Sequence, residues 1–216
     1  MQAGETIWLI LWASIGANAI LWTYFHRKAH RNTLPAFATM GGSIPLIATW
    51  AWAVPFYSIM IITLVSPSWL RWAMIEVPAW VRNCGAVAVL PTPFLLMWVL
   101  SSLGNNFAGA FAAVFGQRLI THGPYRHIRH PLYALECYFL VSIAFATANW
   151  IILGYACSGI LMIRLVVIPQ EEEYLLERFG KSYRAYRKKT GMLLPKLMPA
   201  WKSGSRRRRD IGLSSR

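Results

Sequence analysis

Charge is scarce in this sequence, and acidic charge scarcer still. Only 14% of the 216 residues are charged, with eight Asp and Glu against 22 Lys and Arg. More than half of the chain is apolar and eleven residues are Trp. That balance excludes an ordinary soluble domain and points to an integral membrane protein. Cysteine is scarce as well. Cys84, Cys137 and Cys157 fall within apolar runs without C-x-x-C spacing, which gives neither a disulfide framework nor a zinc site. They read as small buried hydrophobes, and no metal is expected. The net charge of +14 does not signal nucleic acid, because the basic residues flank apolar runs. Anionic lipid headgroups are the expected partner instead.

What is present in abundance is long apolar sequence. Five runs, residues 6–25, 44–65, 84–101, 132–148 and 150–168, predict an all-α, polytopic membrane protein with about five transmembrane helices. No Lys or Arg precedes the first run and no small-residue cleavage site follows it, so it reads as a span, not a signal peptide. Residues 67–82 mix Trp with Arg and Glu and read as interfacial. Lys and Arg number three between spans one and two, three between spans three and four, and thirteen after span five. The opposite side carries two, which predicts a multi-pass protein with its N-terminus outside and its C-terminus cytoplasmic.

Two polar clusters interrupt this pattern. His122 to Tyr133 read H-G-P-Y-R-H-I-R-H-P-L-Y, and Glu171 to Gly180 read E-E-E-Y-L-L-E-R-F-G. The hairpin of spans four and five delivers both to one side of the bilayer. Pro131 suits the first turn of a helix, where its missing N–H costs nothing. Arg126, His127, Arg129 and His130 beside the free N–H groups of that turn predict an anion site. After Pro169 the sequence predicts a second, cytoplasmic amphipathic helix, with Leu175, Phe179, Tyr183 and Tyr186 as its apolar stripe. Carboxylates in its first turn are favoured by the helix dipole in any case, so spacing alone does not separate a ligand-binding role from a structural one.

The run G-P-Y-R-x-x-R-H-P-x-Y, an apolar hairpin, and then E-E-x-x-L-x-x-x-F-G-x-x-Y-x-x-Y resembles the isoprenylcysteine carboxyl methyltransferase family and the related phospholipid N-methyltransferases. Leu103 to Phe107 resembles the L-G-x-x-[FW] turn that precedes the first motif in those enzymes. The resemblance covers roughly residues 100 to 195. It implies S-adenosylmethionine as cofactor, bound at the cytoplasmic membrane surface, and a lipidic or otherwise hydrophobic acceptor. Arg129, His130, Pro131 and Tyr133 match the first cofactor motif, with His122, Gly123 and Tyr125 just before it, and Glu171 and Glu172 match the acidic pair. The chain departs from the pattern at Leu135, where many members have glycine and the backbone can approach the cofactor. The implied organisation is an N-terminal part, 1–101, with three spans; a methyltransferase core, 102–198; and a basic, disordered tail, 199–216. An NADPH-dependent reductase of the membrane steroid-reductase type and a non-catalytic membrane protein are the rival readings.

Two ionisable residues lie inside spans, which by default marks function or pairing. Glu136 is five residues beyond Pro131 and Arg164 five before Pro169, so both sit about 7 to 8 Å below the membrane boundary at ~1.5 Å per residue. Matched depth predicts an ion pair across the hairpin. The alternatives are catalytic. Arg164 would orient an acidic acceptor, or Glu136 would contact the cofactor or receive a proton from an amine or thiol.

Overall fold

A computed structural model describes residues 3–32, 43–107 and 117–196. The basic tail from 199 onward lies outside the described residues. Among the described residues seven α-helices form the frame: α1 (Ala3–Asn32), α2 (Ser43–Val65), α3 (Ala79–Val89), α4 (Thr92–Leu103), α5 (Pro131–Thr147), α6 (Trp150–Met162) and α7 (Ile168–Lys189). Three stretches are long and apolar enough to cross a membrane: Glu5–Ala29, Ala79–Leu103 and Trp150–Lys189. Trp50–Thr63 and Pro131–Thr147 are shorter apolar helices. These five bodies correspond to the five runs of the sequence. The third begins five residues earlier than its hydropathy suggested, because α3 starts directly after Pro78 and carries Arg82 within it.

The spans approach closely where side chains are small. Gly85 of α3 lies directly against the backbone of Phe145 and Ala146 in α5, and Gly159 of α6 lies against the Trp52 ring of α2. Close backbone approach strengthens dispersion contacts between helices, the main attraction available when lipid is as apolar as the side chains. Leu11, Phe56, Val89, Leu140, Ile143 and Ile152 fill the core these contacts enclose. At the tip of the α5–α6 hairpin Ala148 adopts φ 48°. The Asn149 side chain then accepts from the N–H groups of Ile151 (2.9 Å) and Ile152 (3.3 Å), capping α6. Of the predicted interfacial stretch, 67–82, residues 67–73 form a 3₁₀ turn and the last four belong to α3. Just beyond the turn, the Ile75 N–H donates to the Ala148 carbonyl at 2.7 Å.

Two expectations are corrected. The cysteines are not buried among helices: Cys84 and Cys157 are exposed on the outer faces of apolar helices, and Cys137 is half-buried. Nor does a new helix begin after Pro169. A π-helical stretch, Ile163–Val167, joins α6 to α7, so Trp150–Lys189 is one 40-residue run. Proline deprives the preceding turn of a donor and crowds its carbonyl. The wider i→i+5 turn just upstream, seen in the Ile168 N–H bond to the Ile163 carbonyl, accommodates that defect without a break. The actual bend comes at Gly180, at φ 50° and ψ −118°.

A second proline defect is repaired by side chains. Pro93 has no N–H for the carbonyl of Val89; the Thr92 hydroxyl donates to that carbonyl at 2.7 Å. The Asn18 amide of α1 in turn donates to Thr92 Oγ1 at 2.9 Å. The lone strongly polar residue of the first span thus ties it to the kink between α3 and α4. Thr92→Val should destabilise the protein by about 1 to 3 kcal/mol, since it orphans two polar groups. Asn18→Leu, which leaves the Thr92–Val89 bond intact, should cost only about 0.6 kcal/mol. Thermal melts in detergent check the order of the two effects.

Candidate functional site

The site is built where the start of α5 meets α7 and the loop that follows it. Gly123 opens a 3₁₀ turn, Gly123–Arg126, at φ 59°. A side chain there would strike Ser102 Oγ of α4, at 2.5 Å from an added Cβ. Glycine is therefore required both for the backbone and for the space. The turn carries Tyr125 into the interior, where its carbonyl accepts the Tyr186 hydroxyl of α7 at 2.7 Å. Next, residues 127–130 run alongside residues 190–192. The Arg129 N–H donates to the Gly191 carbonyl (2.8 Å) and the His130 N–H to the Met192 carbonyl (3.1 Å). Gly191 has no room for a Cβ because the Leu194 carbonyl lies against it.

This scaffold buries Arg129 and His130 against the acidic start of α7. Arg129 Nε donates to Glu172 Oε1 at 2.9 Å, and its Nη1 donates to the carbonyls of Thr190 (2.6 Å) and Arg187 (3.3 Å). His130 Nε2 lies 3.3 Å from Glu172 Oε1 and its Nδ1 3.4 Å from Glu171 Oε2. Arg187 Nε stands 3.4 Å from the other Glu172 oxygen. Tyr133 stacks on the His130 ring, centroids 5.8 Å apart. Burial alone would push the Glu172 carboxyl up, but the His130 hydrogen bond and the Arg129 charge outweigh it and hold it down to about 2. Burial lowers the His130 pKa, yet the carboxylates of Glu171 and Glu172 together raise it above the usual 6.5.

The structure thus brings together Tyr125, Arg129, His130, Tyr133, Glu171 and Glu172, and seats Pro131 at the first turn of α5. His122, Arg126 and His127 are exposed and stand outside the ion-paired cluster. Leu135 packs on a separate apolar cluster of Ala29, Leu96, Leu100 and Phe107. Glu136 and Arg164 do not pair: the ion pairs of the site all involve Glu171 or Glu172, and neither residue takes part in them. Matched depth was a sound inference, but the π turn holding Arg164 alters which way the helix face points. Arg164 instead lines an open pocket of about 510 Å³ with Arg129, Arg187 and Lys196. Sequence reasoning missed residues 190–192, whose backbone carries three of the seven contacts that fix Arg129 and His130. The only signal was Gly191, set between a basic run and a proline.

Among the described residues, three buried side-chain atoms lack a hydrogen-bond partner: Gln170 Oε1, Glu171 Oε2 and the Tyr183 hydroxyl. All three belong to α7. An unmatched buried polar atom costs about 1 to 3 kcal/mol, so three within four turns beside an ion-paired cluster point to a polar ligand.

The titrations of the cluster set a pH dependence. His130 has its pKa raised on folding, so the stability it contributes is full below 6.5 and is lost as pH rises through the folded value. Glu172 runs the other way: its contribution is present above the usual 4.5 and is lost as pH falls toward about 2. The melting-temperature advantage of the parent over His130→Gln should therefore be largest near pH 6 and shrink toward alkaline pH. A constant difference across pH 5 to 9 would contradict the assignment of a charged His130.

Residues 85–177 match the model of the isoprenylcysteine carboxyl methyltransferase (ICMT) family. Over 154 residues the chain is 33% identical to a methanethiol S-methyltransferase from Pseudomonas deceptionensis, an alignment covering 63% of this chain and 56% of that protein. The chain thus spans about half the length of this relative. The family match starts earlier than the motifs do, taking in α3 from Gly85, and includes Arg129, His130, Glu171 and Glu172. Of the residues in the cluster's ion pairs, only Arg187 lies outside the stretch that matches the family model.

Proposed function

We propose that this protein is an integral membrane, S-adenosylmethionine-dependent methyltransferase acting on a lipidic or hydrophobic acceptor. The observation that carries the reading is the buried Arg129–His130–Glu171–Glu172 cluster, assembled from both ends of one apolar hairpin within the family-matched stretch. S-adenosylmethionine presents an ammonium and ribose hydroxyls as donors and a carboxylate as acceptor. The unmatched oxygens of Gln170 and Glu171 suit the donors, and the Tyr183 hydroxyl suits the carboxylate. When bound, this group would supply a methyl carbon on a good leaving group, ready for in-line displacement.

The protein's part is alignment and exclusion of water. Glu172, locked by Arg129 and His130, fixes the first turn of α7, and this leaves Glu171, whose ion pair is the 3.4 Å contact with His130, as the carboxylate to meet a ligand. An O⁻ acceptor needs no base. A thiol or amine must lose a proton, and a His130 kept charged between two carboxylates is a poor recipient. Glu136, within α5 and outside the ion pairs, is the candidate acceptor of that proton, and Arg164 the candidate partner of an acidic group. Carboxyl O-methylation is the reading closest to the activity for which the matched family is named. S-methylation of a thiol is the second, favoured by the methanethiol S-methyltransferase relative. We also propose that the cluster faces the cytoplasm with the N-terminus outside, on the distribution of Lys and Arg.

Glu171→Gln should weaken S-adenosylhomocysteine binding by about 10- to 150-fold, the loss of a charged hydrogen bond worth ~1.5 to 3 kcal/mol. Its drop in melting temperature should be smaller than that of Glu172→Gln, because Glu171 pairs with His130 whereas Glu172 pairs with Arg129 and Arg187 as well. Glu172→Gln should behave differently. It strands the buried Arg129, costs about 3 to 5 kcal/mol of stability, and lowers the melting temperature before binding is even considered. Thermal shift in detergent with S-adenosylhomocysteine and with NADPH measures both. Stabilisation by NADPH alone would favour the reductase reading. Incubation of membranes with labelled S-adenosylmethionine, followed by separation of lipid, peptide and small-molecule fractions, identifies the acceptor class.

A further inference from the structure

The open pocket beside the cluster has the wrong charge for a cationic ligand. Arg129, Arg164, Arg187 and Lys196 line it together with residues 191–194, and no acidic side chain faces it. The charges are not equally committed. Arg129 is consumed by Glu172 and two carbonyls. Lys196 Nζ donates to the carbonyls of Arg187 (3.1 Å) and Lys188 (2.9 Å), and Arg187 leans on Glu172. Arg164 is in none of the ion pairs or hydrogen bonds of the described residues. It stands on an outward face flanked by Leu161 and Leu165, which are 57% and 64% exposed. In a membrane that face meets lipid, about 7 Å inside the boundary by helix rise. Arginine there requires an anion or must reach for the surface. The other wall of the pocket ends in Leu194, a large apolar side chain 78% exposed, with Met192 and Leu193 behind it.

S-adenosylmethionine carries a sulfonium and an ammonium against one carboxylate and is a net cation, so four basic side chains disfavour it. A compact anion joined to hydrocarbon fits all three features: a free arginine at membrane depth, cations toward the aqueous rim, and an apolar lip. We propose that this pocket is a binding site for the phosphate of an anionic phospholipid, with Arg164 and Lys196 as its principal contacts and the acyl chains running along the Leu161–Leu165 face. The site adjoins the donor cluster and shares Arg129 and Arg187 with it, while Arg164 and Lys196 belong to the pocket alone. It gives Arg164 to the phosphate, in place of the acidic group of an acceptor.

Delipidated protein in detergent, titrated with short-chain phosphatidylglycerol, phosphatidylcholine or inorganic phosphate and followed by thermal shift, tests this. Phosphatidylglycerol should raise the melting temperature, and the other two at equal concentration should not. Arg164→Gln and Lys196→Gln should each weaken the apparent affinity about fivefold, the equivalent of ~1 kcal/mol per surface charge. Lys181→Gln/Arg184→Gln, two exposed cations of α7 outside the pocket, should change it less than twofold. Since Arg164 is exposed, its replacement leaves the fold intact, and either single variant suffices if the other expresses poorly. Equal weakening by the Lys181/Arg184 pair would reduce the site to a diffuse basic surface and overturn the proposal. Equal protection by phosphatidylcholine would remove the anion requirement, and equal protection by inorganic phosphate the lipid.

Discussion

The rest of the site depends on the Arg129–Glu172 pair. A guanidinium and a carboxylate, both nearly excluded from solvent, are tolerable only because each is satisfied several times over. Arg129 spends its donors on Glu172 and on two carbonyls at the end of α7, so a single side chain ties the start of α5 to both ends of α7. His130 then bridges the two acidic residues. The consequence is division of labour within an apparently equivalent pair: Glu172 is structural, and Glu171 has the 3.4 Å contact with His130, its Oε2 without a hydrogen bond among the described residues. A motif of two adjacent carboxylates serves because successive helical residues point about 100° apart, one into the clamp and one beside it.

The apolar half of the protein serves this clamp. Gly85 and Gly159 let helices approach, and Asn149 caps a tight hairpin so that α5 returns as α6 with little lost length. Helix termini that belong to one hairpin necessarily emerge on one face, and this is how clusters some forty residues apart in sequence meet. The π turn before Pro169 then lets the chain continue as a helix into the acidic segment, holding Glu171 and Glu172 on the same rod that crosses the bilayer.

Much of this was legible in the sequence. Five apolar runs gave five helical bodies, because hydropathy over about twenty residues leaves the backbone few options. Pro131 predicted the first turn of α5, and Tyr183 and Tyr186 proved to be the buried end of the apolar stripe. The failures share one cause: properties that depend on rotation about an axis or on return of the chain. Depth along a helix is additive in residues, so Glu136 and Arg164 were placed level. Azimuth is not, and an added residue per turn in the π stretch is invisible in composition. The cysteines were read as interior because apolar runs do not reveal which face meets lipid. The backbone pairing of residues 127–130 with 190–192 lacks any side-chain pattern and shows only as a glycine with no space around it.

The central claim is that the two ends of the hairpin jointly hold the methyl donor, and ultraviolet crosslinking tests it most directly. Protein irradiated with methyl-labelled S-adenosylmethionine should carry label on peptides from residues 122–135 and 168–187, and excess S-adenosylhomocysteine should abolish it. Label confined to peptides of α1 or α2, or undiminished by the competitor, would contradict the account.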